Sequence, residues 1–84
     1  MDELPTHIIA AEEALSEALT AVEVATSELL MAYSRAGARG LPVRDDFDAL
    51  HGQADCIRAH LARVLRRLGP LAAEARRESE CETV

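Results

Sequence analysis

The sequence predicts an all-α fold, an antiparallel two-helix hairpin with a coiled-coil-like, alanine-rich seam that assembles into a helical bundle. Three observations carry this expectation. Ile8, Leu15, Val22 and Leu29 recur every seven residues, with Ala11, Ala18, Ala25 and Ala32 three places after each. A second stretch answers the first: Phe47, Leu50, Ala54, Ile57, Leu61, Val64, Leu68, Leu71 and Ala75 alternate in steps of three and four. Such spacing keeps apolar side chains on one face of a helix. Between the two stretches lies a breaker, Gly37-Ala38-Arg39-Gly40-Leu41-Pro42.

Taken in order, the elements form one domain over residues 1–84. A first helix is expected over about 5–36. Pro5 suits a first turn, where its missing N–H has no helical partner, and Thr6 is placed to cap. Glu12, Glu13 and Glu17 lie towards the positive end of the helix dipole. Gly37 can take the left-handed conformation that closes a helix. The loop is expected over 37–44, with Leu41 and Val43 folding back over the hairpin end. Asp45 is a candidate N-cap, Asp46 and Asp48 follow it in the first turn, and Val43 can staple onto that turn. The second helix is expected over about 45–68. Pro70 removes a donor and crowds the preceding turn, so a kinked or short third helical segment after Gly69-Pro70 is expected over about 70–78, then a frayed tail over 79–84.

Charge suggests a register. If facing residue numbers sum to about 79, Leu29 meets Leu50, Val22 meets Ile57 and Leu15 meets Val64. The same alignment sets Glu12, Glu13 and Glu17 beside Arg67, Arg66 and Arg63, pairs worth only about 0.2–1 kcal/mol each but consistent in sign. In this reading the seam alanines let the second helix approach closely, large side chains opposite small ones. Helix 1 then keeps more apolar surface than one seam needs. A helix with a single partner shows one stripe about 100° wide. Ile9, Val24, Leu30 and Met31 lie off that stripe, and Leu19 and Tyr33 broaden its other edge. These six residues are the expected partner-binding face.

Composition narrows the classes of function. Aromatic residues are 2% of the chain, Tyr33 and Phe47, too few for stacking bases or sugars. The net charge is −6 although every basic residue is Arg, which disfavours binding to nucleic acid. No apolar run approaches the roughly 20 residues of a membrane span, and the acidic start is unlike a secretory signal. Cys56 and Cys81 do not make a disulfide framework, so a reduced, cytoplasmic protein is expected, and Arg in place of every Lys with abundant Ala is associated with a bacterial source.

Chemistry has few footholds. Asp48, His51 and Asp55 share a helix face at spacings seen in metal-binding bundles, and are weak candidates for metal ligands. Cys56 and His60 form a second pair on another face. Leu50-His51-Gly52 touches on the pattern of His-phosphotransfer domains, but Asp48 and His51 stand where those domains carry His and Lys. Phosphate loops, CxxC pairs and hydrolase elbows are absent from the sequence. No enzyme, no resident metal and no cofactor are therefore expected.

In outline, from Pro5 to Leu68, the chain resembles the small helical-hairpin co-chaperones of bacterial type III secretion needles. Those proteins also join two helices by a short glycine-containing loop, and the resemblance implies an apolar face that shields a partner. The expected function is a non-enzymatic protein–protein interaction module. It acts as a homodimer or with a helical partner, without nucleic acid or membrane.

Overall fold

The computed structural model describes residues 3–42 and 44–82. Two helices fill it: α1, Leu4–Arg39, and α2, Arg44–Glu82. They pack antiparallel into a rod of 63 × 17 × 16 Å, and no strand occurs among the described residues. Among the described residues no helix is long and apolar enough to cross a membrane.

Both ends of α1 differ from expectation. Thr6 lies inside the first turn rather than capping it; Glu3 precedes the helix without a side-chain cap bond, and its carbonyl accepts from His7 N–H at 3.1 Å. At the other end the helix runs through Gly37, which keeps helical geometry, and stops at Gly40. Gly40 takes φ +66°, a conformation that costs an L-residue about 1–2 kcal/mol. Its N–H donates to the Gly37 carbonyl at 3.1 Å, and Leu41 N–H donates to the Ala36 carbonyl at 2.9 Å. This nested pair satisfies two otherwise orphaned carbonyls. Three more residues of helix shorten the connection. Leu41 stays 42% exposed, so it does not fold over the hairpin end. Val43, the expected staple, lies outside the described residues.

α2 begins at Arg44, which puts the candidate cap Asp45 inside the first turn with Asp46. Both carboxylates then face the positive end of the dipole. A separate third segment after Gly69-Pro70 does not occur: residues 70–82 continue α2 as one helix, and residues 79–82 of the expected tail are helical. The reason is where Pro70 sits. It is exposed and lies on the line of α2 farthest from α1, so the Arg66 carbonyl it leaves without a donor faces water. A helix bent around a partner is convex on its solvent side, the side that tolerates a lost bond.

Burial identifies the seam. On α1 it follows two seven-residue lines, Ile8, Leu15, Val22, Leu29, Ala36 and Pro5, Glu12, Leu19, Thr26, Tyr33. The second line therefore falls four residues after the Ile8 line, not three. Ala11 and Ala25 are exposed, and Ala18 and Ala32 are half-buried at the edge. On α2 the seam lines are Phe47, Ala54, Leu61, Leu68, Ala75 and His51, Arg58, Leu65, Ala72. Leu50, Ile57 and Leu71, expected in the seam, are 48%, 54% and 55% exposed.

The register also shifts, by about one turn. Facing residue numbers sum to about 83: Arg39 and Arg44 flank the turn, and Ile8 shares a groove with Ala75 at the open end. Glu12 accordingly pairs with Arg76 rather than Arg67. Arg63, Arg66 and Arg67 are exposed and form no ion pair among the described residues. At the open end Ala72 and Ala75 are buried to 0% and 3% exposure, and their small size lets the helices close there.

Two substitutions test these terminal and interior features. Gly40→Ala should lower stability by about 1 kcal/mol through its positive φ. Pro70→Ala should raise it by about 1–3 kcal/mol by restoring a helical hydrogen bond. Urea titrations followed by circular dichroism read both; a loss of stability in Pro70→Ala would contradict an uninterrupted α2.

Candidate functional site

The seam geometry fixes what points sideways. With seven residues per two turns, the line beside each seam that stands nearly perpendicular to the plane of the hairpin is set by position alone. On one side α1 presents Leu4, Ala11, Ala18, Ala25 and Ala32. On the same side α2 presents Leu50, Ile57, Val64 and Leu71. The two lines share one face, for Leu4 and Leu71 line a common groove with Pro5, Ile8 and Ala75. These nine positions are apolar, and Leu4 is 60% exposed; the lines end on charge, at Arg39 of α1 and at Glu78 of α2, which lines the same groove as Leu4.

The opposite side differs in chemistry. There Ile9 and Arg76 line a depression with Ser79 and Glu80. The same lines carry Ser16 and Glu23 on α1 and Asp48 and Asp55 on α2. Asp55 accepts a hydrogen bond from Arg58 Nε at 2.9 Å. The same lines also carry Leu30 and Gly37 on α1 and Ala62 and Gly69 on α2, so this side is mixed where the first is almost wholly apolar.

The seam is less apolar than the exposed side. Four of its positions are polar: Glu12, Thr26, His51 and Arg58. Each finds a local outlet or keeps access to water. Glu12 pairs with Arg76, Thr26 Oγ1 donates to the Val22 carbonyl at 2.8 Å, and Arg58 lays its stem along the seam with its head on Asp55.

The six residues expected to bind a partner do not form one surface. Leu19 and Tyr33 are half-buried in seam positions, between the helices rather than on an outer face. Ile9 is half-buried at the seam's polar edge. Val24 and Met31, 58% and 50% exposed, lie on the outer side of α1, and Leu30, 51% exposed, lies on the line of Ile9, Ser16 and Glu23. Leu30 and Met31 border a shallow depression with Tyr33, Ser34 and Gly37. The wide apolar side was missed because its larger members, Leu50, Ile57, Val64 and Leu71, read as seam. The competing line on α2 holds His51 and Arg58, so apolarity alone chooses the wrong phase.

The chemical candidates stay apart. Asp48 and Asp55 are exposed on the polar side, and His51 is half-buried in the seam. No group of three or more His, Cys, Asp or Glu is placed to hold a metal ion among the described residues. Cys56 and Cys81 are free and exposed. A scan against protein-family models, a search of curated proteins and a search of solved structures each found no match.

Alanine substitution separates seam from surface. Leu19→Ala should cost about 1–2 kcal/mol, because the side chain packs between the helices. Val24→Ala should cost less than about 0.5 kcal/mol. Equal effects in denaturant unfolding would contradict this placement of the seam.

Proposed function

We propose that the chain is a non-enzymatic protein–protein interaction module, a helical hairpin that works by covering its apolar side with another protein surface. One observation carries the reading: the hairpin alone has almost no core. Among the described residues only Pro5, Ala36, Ala72 and Ala75 are buried, and no large side chain is fully enclosed. Eight large hydrophobics are exposed, including Leu50, Ile57 and Leu71 on one line of α2. Each such side chain gains about 1.5–3 kcal/mol on full burial, and a chain this small has little stability to spare.

The chemistry of the surroundings supports protein rather than other partners. A net charge of −6 is unfavourable against anionic lipid surfaces and nucleic-acid backbones alike. Among the described residues the face carries no aromatic platform on which to stack a base, and Arg39 at the loop end is its only cation. Shielding a client, the role implied by the outline resemblance to secretion co-chaperones, would use the same side with a different occupant.

The test is the behaviour of the isolated chain on dilution. Circular dichroism melts from about 1 to about 100 µM, with mass measured by light scattering, should show stability that rises with association. A weakly helical monomer awaiting another partner fits the same reading. A monomer with steep, concentration-independent unfolding would contradict it, since such a chain needs no covering surface.

A further inference from the structure

We propose that the occupant of the apolar side is a second copy of this chain, in a twofold-symmetric four-helix bundle with α1 of each copy lying over α2 of the other. The proposal rests on the protein-binding reading above and names its partner.

The first argument is volume. With the observed register, the small residue of α1 and the large residue of α2 on this side stand at one height. Ala25 is level with Ile57, and Ala11 with Leu71. A twofold axis parallel to the rod keeps heights unchanged and exchanges the helices. Ile57 of one copy then sits over Ala25 of the other, and the exchange repeats at every seventh residue from Ala11 with Leu71 to Ala32 with Leu50. Each of these four layers holds two large and two small side chains, which fills the space evenly; at the open end Leu4 meets Glu78, which is exposed.

A second argument is charge. The positions bordering this side are exposed on both helices. The same symmetry brings His7 opposite Glu74, Glu28 opposite Gln53, and Arg35 opposite Asp46, with no like-charge pair. Turning the second copy end over end instead stacks alanine on alanine along one edge and Leu50 on Leu71 along the other. It also draws Asp46 towards Glu74, two carboxylates. Packing and electrostatics therefore select the same arrangement.

Area and closure complete the case. A side 63 Å long and 17 Å wide offers a footprint of about 1,000 Å² per copy, the scale of a stable interface. The other side of the rod breaks up its apolar positions with Ser16, Glu23, Asp48, Asp55 and Arg76, so the assembly closes at two copies instead of extending.

The arrangement places both loops at one end, which a distance measurement reads directly. In a chain carrying Cys56→Ser, Cys81→Ser and Ala38→Cys, nitroxide labels at position 38 should lie about 20–35 Å apart by electron–electron resonance, given interhelical spacings of about 8–10 Å. A distance of about 50 Å or more would place the loops at opposite ends of the 63 Å rod and overturn the arrangement. A single-chain mass by light scattering at about 100 µM would overturn the dimer itself. If that monomer is weakly helical, only this occupant falls. If it unfolds steeply and independently of concentration, the protein-binding reading falls with it.

A surface comparison on the otherwise unchanged chain needs no label. Ile57→Asp should weaken the dimer at least about 100-fold, for it buries a carboxylate among apolar groups. Ser27→Asp, off this side, should leave it within about twofold; equal effects of the two would also overturn the proposal.

Discussion

The seam between α1 and α2 takes two lines of side chains from each helix, and two helices have no third element against which to bury anything else. That limit governs the rest of the structure. Tyr33, Leu19 and Leu65 reach only partial burial because nothing among the described residues covers either side of the two-helix rod. What encloses a side chain in a larger domain is a second layer. Among the described residues no second layer is present, while the apolar side chains that would meet it, from Leu4 to Ala32 and from Leu50 to Leu71, are.

Much of the fold was legible in the sequence, and the errors have a common physical source. Seven-residue spacing, the glycine- and proline-containing breaker and the acidic start of α2 were enough for an antiparallel hairpin. They do not determine phase. The line Ile8, Leu15, Val22, Leu29 can be completed three residues on, by alanines, or four residues on, by Glu12, Leu19, Thr26 and Tyr33. Apolarity favours the alanines; the structure uses the other line. The same happens on α2, where Leu50 and Ile57 look better suited to a seam than His51 and Arg58. In both helices the discarded line is the more uniformly apolar one, and in both it faces the same way.

That coincidence explains why the candidate site was half visible. Excess apolar surface was evident from Val24, Leu30 and Met31, and these are exposed. Its larger share was hidden inside an assumed seam. Once the seam moves by one position on each helix, the alanines of α1 cease to be spacers for α2 of the same chain and become one half of an open side. Register misled for a related reason. Matching Glu12, Glu13 and Glu17 to Arg63, Arg66 and Arg67 rested on exposed pairs, which are too weak to outweigh the closer packing available at Ala72 and Ala75. Pro70 misled differently, since its cost depends on which way the lost bond faces.

If this rod is half of a structure, its apolar side is covered along most of its length. Small-angle X-ray scattering tests this most directly, because mass and length come from the same curve. Two copies side by side should give twice the 9.1 kDa of one chain, with a longest dimension still near the 63 Å of a single hairpin. A particle of one chain's mass, or one of two chains with nearly doubled length, would contradict the account.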